Sequence, residues 1–293
     1  MESRTATPLY KGMTQDDIEA QYFLRGTRPD YQSKMIPDWI ERSARFRNEA
    51  ECSLDISYGP GARNRLDFFP ARTALRGFIL YIHGGYWQRG DKSVYSYIAA
   101  PYVERGFSVA LMNYHMCPEV ALSAIAPQAR RAVAWLWRNA DTFGITRNNF
   151  NIMGHSAGGH LTAEMLLTDW RDEDANMPRD VIHAAVALSG IYDLEPILHC
   201  SENAGLRLSI EEAARASTIH RRLVSACPQL IAYGSNEPRD MHRQSIDYCR
   251  TFRNQGAKIE LYAIPGADHF DVCNVIADDE GDLFSKCMDI MSR

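Results

Sequence analysis

No two of the seven cysteines lie closer than 14 positions, so the chain has no C-x-x-C pair of the kind that holds zinc or carries redox chemistry. No H-E-x-x-H string links any of its nine histidines, which removes the usual helical zinc signature. No metal and no cofactor are therefore expected. Long apolar runs are also lacking. No stretch approaches the roughly 20 residues of a membrane helix, and residues 1–12 have no apolar core of signal-peptide length. A cytoplasmic protein with reduced cysteines and no membrane partner is expected. The net charge is −5 with no basic block, so the footprint that nucleic acid would require is missing. Repeats and low-complexity linkers are absent too. The 293 residues, 45% of them hydrophobic, read as one domain with one large core. Nothing in the chain sets an oligomeric state, and the reading leaves room for a homodimer.

What is present is concentrated in two glycine-rich strings, His83-Gly84-Gly85-Tyr86-Trp87 and Gly154-His155-Ser156-Ala157-Gly158. The second is a G-x-S-x-G pattern, in which a serine occupies a sharp strand-to-helix turn and its hydroxyl is lifted clear of the sheet. The first reads as an H-G-G loop that offers backbone N–H groups to an oxyanion. In this order, each directly after a strand-like run, the strings point to an acyl-transferring serine hydrolase of the α/β-hydrolase kind.

The rest of the pattern agrees. Strand-like runs cover 52–58, 64–69, 77–82, 107–113, 149–153, 184–189, 228–234 and 258–263. Helical periodicity covers 121–143 and 157–168. The first two strands alternate apolar and polar, as half-exposed antiparallel edge strands do, whereas 77–82 and 107–113 are nearly continuous apolar runs suited to burial on both faces. Strands alternating with helices imply a mostly parallel central sheet flanked by helices. Residues 1–50 read as an N-terminal helical extension, with helical spacing around Met35 to Phe46. Residues 193–222 read as a small helical cap inserted after the sixth strand and roofing the pocket.

A serine hydroxyl becomes nucleophilic when a base takes its proton and an acid orients that base. Ser156 is the nucleophile, and His269, just after the last strand, is the base. The acid is open among Glu237, where the chain leaves the seventh strand, Asp240 three residues on, and Asp193 after the sixth. Glu237 and Asp240 could equally serve the N-terminus of the next helix, and Asp193 could cap the entry to residues 193–222. The N–H groups of Ala157, Gly84 and Gly85 are expected to form the oxyanion hole. Tyr86 and Trp87 are expected at the pocket mouth, stacked on a planar substrate group. His83, His155 and His160 read as structural, and Cys117 as a small semi-buried residue rather than a reactive thiol. Arg207 and Ser245 do not stand out from solvated surface residues as binders of a polar substrate end.

These strings and several others resemble the kynurenine formamidases, or arylformamidases, over roughly residues 22–270. His83-Gly84-Gly85-Tyr86-Trp87 is similar to that family's HGGYW. Tyr114-His115-Met116-Cys117-Pro118-Glu119-Val120 and Ser189-Gly190-Ile191-Tyr192-Asp193-Leu194-Glu195-Pro196, the latter with Asn203 and Leu206, also match its segments. His242-Arg243-Gln244-Ser245 looks like the run after the family's triad acid. Counting back from it places the acid at Glu237, where animal members carry Asp. The resemblance implies hydrolysis of N-formyl-L-kynurenine to L-kynurenine and formate, with a small aromatic amide or ester as the partner molecule. The alternative reading is a carboxylesterase or amidase acting on other small aromatic esters, carbamates or anilides. A ligand receptor on the same scaffold is a more distant one, since such proteins usually lose a triad member.

Overall fold

The computed structural model describes residues 7–293; residues 1–6 of the expected N-terminal extension lie outside the described residues. Eight strands form one sheet: β1 (Ser53–Ser57), β2 (Arg65–Phe69), β3 (Gly77–Ile82), β4 (Phe107–Met112), β5 (Phe150–His155), β6 (Ala185–Leu188), β7 (Gln229–Gly234) and β8 (Ile259–Ile264). Their order is β1-β2-β4-β3-β5-β6-β7-β8, with β2 antiparallel to both neighbours and every other pairing parallel. This is the α/β-hydrolase arrangement that the alternation of runs predicts. Strands β3, β4 and β5 are buried along their whole length, which is why their apolar runs are unbroken. Of the two expected half-exposed edge strands only β1 lies at an edge, and it is exposed at four of its five positions. Strand β2 lies between β1 and β4 and is largely buried, its Leu66, Phe68 and Phe69 joining the main apolar cluster.

The helices are α1 (Gln15–Tyr22), α2 (Ile36–Glu49), α3 (Ala99–Glu104), α4 (Ile125–Arg138), α5 (Ala157–Leu166), α6 (Asn203–Leu206), α7 (Ile210–Ala216), α8 (Arg239–Arg253), α9 (Val272–Val275) and α10 (Asp282–Met291). The 121–143 periodicity resolves into a short turn and α4, which stops at Arg138. Ala163 of α5, Ala187 of β6, Ile231 of β7 and Phe252 of α8 share one apolar cluster, while Val186 and Leu230 join the larger one with Phe284 of α10. The period of two along each strand thus sends alternate side chains into two helical layers.

The N-terminal extension is held to this body at specific points. Thr14 caps α1, accepting from the Asp17 N–H at 3.3 Å while its own N–H donates to Asp17 at 2.9 Å. Tyr22, at the end of α1, donates to Asp240 on α8 and accepts from Gln244 at 2.9 Å. Trp39, Ser43 and Phe46 of α2 recur at the spacing of one helical face, and all three are buried. Residues 193–222 contain only short helical pieces, including α6 and α7. No described helix is long and apolar enough to cross a membrane.

Candidate active site

Parallel pairing brings the C-terminal ends of the strands to one edge of the sheet, the usual ligand edge of an open α/β fold. Ile82 lies opposite Gly154, His155 opposite Leu188, and Gly234 opposite Ile264. The H-G-G loop, Ser156, Ser189, Glu237 and His269 all follow these strand ends. At the β5–α5 turn Ser156 has φ +56° and ψ −118°, outside the comfortable regions for a residue with a Cβ. Its N–H donates to the Leu188 carbonyl at 2.8 Å, which ties the turn to β6. The flanking glycines allow the close approach. A Cβ on Gly154 would sit 2.2 Å from the Gly158 carbonyl oxygen, and one on Gly158 would sit 1.9 Å from that of Ile82.

The Ser156 hydroxyl donates to His269 Nε2 at 3.0 Å, and with that tautomer His269 Nδ1 donates to Glu237 Oε2 at 3.0 Å. Glu237 is itself held. Its Oε1 accepts from the Gly234 N–H at 2.7 Å and from the Ser189 hydroxyl. Ser189, with φ +50° and fully buried, was not among the expected site residues. Asp240 is not in this chain of bonds. It takes Arg243 at 2.5 and 2.8 Å and the Tyr22 hydroxyl. Burial opposes its charge, but the hydrogen bonds from Arg243 and Tyr22 outweigh that and hold its carboxyl below the ordinary range. Asp193 is likewise occupied elsewhere, accepting from the Tyr10 hydroxyl at 2.5 Å and from the Glu195 N–H at 3.2 Å.

Gly84 lies against the serine turn, since a Cβ there would be 3.0 Å from Ser156 Cβ. Among the described residues, the N–H groups of Gly84, Gly85 and Ala157 have no protein acceptor. The loop is strained beyond its glycines, with Tyr86 at φ +57° and Trp87 at +55°. His83 braces it. Its Nδ1 donates to the Gly84 carbonyl at 2.7 Å, and its ring stacks on Tyr114 with centroids 4.7 Å apart. Burial pushes the His83 pKa down to about 4, keeping the ring neutral at physiological pH. His155 is also kept neutral by burial, and its Nε2 donates to the His269 carbonyl at 2.8 Å. His160 donates to the Ala216 carbonyl at 2.8 Å, one step removed from the site. Burial pushes the Cys117 thiol up to about 11, which leaves it unreactive.

Ser156, His269 and Tyr86 open onto one narrow cleft. Two expectations about this cleft need correction. Trp87 does not line it. The side chain is fully buried and packs edge-on against His160, centroids 5.1 Å apart, because the positive φ of two successive residues turns it beneath the loop. Residues 193–222 do not line it either; they line a separate hollow with α4 and α5 through Glu212, Arg215 and Arg221. The cleft is instead covered by Leu24, Arg25, Tyr31 and Trp39 of the N-terminal extension. Tyr31 stacks on Phe270 at 4.0 Å, directly after His269 in the chain. Helical spacing in 35–46 was the available signal for Trp39, but it cannot say which residue of a buried stripe faces a cavity. Among the described residues, no group of three or more His, Cys, Asp or Glu side chains is placed to hold a metal ion.

A family model described as BD-FAE matches residues 68–231, from β2 through the serine turn into β7. The chain belongs to the BD-FAE family. Its sequence is 29% identical to a kynurenine formamidase of Salmo salar, across 97% of this chain and 99% of that one. It is 28% identical to that of Danio rerio, across 95% and 97%. Among solved structures, a proposed thioesterase from Silicibacter sp. TM1040 is 29% identical, with a TM-score of 0.77 over 94% of this chain and 98% of that chain. This BD-FAE member is thus a hydrolase of the α/β type, and the likeness to kynurenine formamidases drawn from its motifs runs nearly end to end.

Proposed function

We propose that this BD-FAE protein is a serine hydrolase that cleaves aryl formamides, with N-formyl-L-kynurenine as substrate and L-kynurenine and formate as products. The observation that carries the serine-hydrolase reading is the continuous path Ser156 Oγ to His269 Nε2, His269 Nδ1 to Glu237, at 3.0 Å for each step. Ser156 Oγ attacks the formyl carbon as His269 takes its proton. The resulting oxyanion accepts from the N–H groups of Ala157, Gly84 and Gly85, each such donor contributing roughly 3 kcal/mol to the transition state. His269 then gives its proton to the departing aryl amine. Water, deprotonated by His269, attacks the formyl ester, and collapse releases formate and restores the serine hydroxyl. Glu237 accepts from His269 Nδ1 and stabilises the imidazolium. The reaction needs no cofactor, metal, nucleic acid or membrane, and the seven unpaired cysteines suit a reducing cytoplasmic setting.

The substrate rests on the names of the two formamidase relatives and on the aromatic walls of Tyr31, Trp39 and Phe270. A second reading, an esterase or thioesterase for small aromatic substrates, is supported by the solved relative described as a thioesterase at the same identity. The experiment is a paired measurement of kcat/KM on N-formylkynurenine and on short-chain p-nitrophenyl esters, with Ser156→Ala as control. The formamide is expected to be the better substrate and the variant inactive on both. A wide preference for the esters would overturn the formamidase reading, and full activity of the variant would overturn the nucleophile.

A further inference from the structure

Two guanidinium groups line the same cleft as Ser156 and His269, and the reaction above gives neither of them a task. Arg25 lies just beyond α1, and Arg89 ends the turn that closes the H-G-G loop, its N–H donating to the Gly85 carbonyl at 3.0 Å. One carboxylate holds both: Glu202 reaches Arg25 Nη2 at 3.1 Å and Arg89 Nη2 at 2.7 Å. The Glu202 side chain is only 3% exposed, while the two arginines keep about a third of their surface open, at 32% and 33%. Arg89 Nη1 also donates to this carboxylate at 3.3 Å, and Gln88 Nε2 adds a fourth donor at 3.2 Å. Two cations against one anion leave a net positive charge on the cleft wall.

The cluster is also short of an acceptor. The Nε of Arg25 is buried with no hydrogen-bond partner among the described residues. An unpaired buried N–H on a charged group costs more than a neutral one. The acids of the neighbouring 268–271 loop are already committed, because Asp268 and Asp271 bind Arg28 at 2.5 and 3.2 Å.

We infer that Arg25 and Arg89 form a carboxylate subsite, so that the aromatic substrate carries an anionic side chain which these two side chains read. Guanidinium groups suit a carboxylate, and the buried Glu202 holds both in place before the ligand arrives, engaging both Nη atoms of Arg89 and one of Arg25. The inference takes the nucleophile from the hydrolase reading above, but the demand for negative charge does not depend on which acyl group is cut.

The test uses matched pairs: aryl acetates, and separately formanilides, with and without a carboxylate-bearing side chain. For each pair the kcat/KM ratio of acid to neutral substrate is measured in wild type, Arg25→Gln and Arg89→Gln. The ratio is expected to exceed tenfold in wild type and to fall at least fivefold in each variant. A wild-type ratio near one, or a ratio that the variants leave unchanged, overturns the subsite. If esters are cleaved and formamides are not, the formamidase reading fails while the ester pair still decides the subsite. Should the variants not fold, calorimetric binding of 4-phenylbutanoate and its neutral amide to wild type decides it. The acid is expected to bind at least fivefold tighter, and equal affinity overturns the proposal.

Discussion

Replacing Glu237 by Gln separates the acid that touches His269 from the one that lies three residues away. Glu237 accepts three donors with two oxygens: His269 Nδ1 at 3.0 Å, the Gly234 N–H at 2.7 Å and the Ser189 hydroxyl. Glutamine keeps one accepting oxygen and replaces the other with an NH₂ group that cannot accept. If the oxygen stays on Gly234, the NH₂ faces His269 and forces Nδ1 to be the unprotonated nitrogen. Nε2 then carries the proton and cannot take that of Ser156. If the amide turns over, its NH₂ meets the Gly234 N–H at 2.7 Å, and a buried donor without an acceptor costs roughly 1–3 kcal/mol. The first outcome matches the tautomer error that lowers kcat about 10⁴-fold in the serine-protease triad. At 1.36 kcal/mol per factor of ten, that is about 5.4 kcal/mol of activation free energy. The assay is kcat at saturating substrate, with thermal melting to confirm the fold, beside Asp240→Asn as the companion variant. Asp240→Asn breaks into the Arg243 and Tyr22 network, so it should lower the melting temperature and change kcat by less than about tenfold. Glu237→Gln within tenfold of wild type, or Asp240→Asn as the more damaging change to kcat, would refute the reasoning.

Further consequences can be checked together. Gly158→Ala should lower both melting temperature and activity, because its Cβ would stand 1.9 Å from the Ile82 oxygen just before the H-G-G loop; unchanged melting would show that the contact relaxes freely. Tyr31→Ala should raise KM for aromatic substrates by about 3- to 10-fold through loss of a wall stacked on Phe270, whereas Trp87→Phe should leave KM nearly unchanged; the reverse order would put Trp87 back in the cleft. His83, His155 and His160 are all buried with lowered pKa values, so below about pH 6.5 the unfolded chain binds protons that the folded one refuses. Their contribution is complete above pH 6.5 and falls by about 1.4 kcal/mol per pH unit per histidine on the way down to the folded values. The melting temperature should therefore drop steeply between pH 7 and 5, and a flat profile there would contradict the neutral, buried assignment.

The N-terminal extension does more than cover the core. Its Tyr22 contacts the helix that follows Glu237, its Tyr31 covers the residue after His269, and its Arg25 meets Glu202. A largely helical segment that precedes the sheet thus shapes the cleft, while residues 193–222, the insertion expected to do so, stand beside it. Shape selection at the mouth is therefore set by contacts between chain segments far apart in sequence.

The chain by itself determined the sheet, the order of the site loops and the serine turn. Apolar runs, glycine spacing and the strand–helix alternation are local signals, and a parallel sheet brings every loop that follows a strand to the same edge. That is why Ser156, His269 and the H-G-G loop could be read directly, whereas place after a strand left the acid open and only the resemblance of residues 242–245 to the formamidase run pointed to Glu237. Only the tertiary structure decided which carboxylate faces His269. Glu237 and Asp240 are both buried acids at the start of one helix, and their difference lies in which partners converge on them: Gly234, Ser189 and His269 on one, Tyr22 and Arg243 on the other. It also decided that Trp87 turns inward and that Tyr31 and Trp39 wall the cleft. Those placements depend on backbone strain at successive residues and on packing across more than a hundred positions, and no local pattern records either.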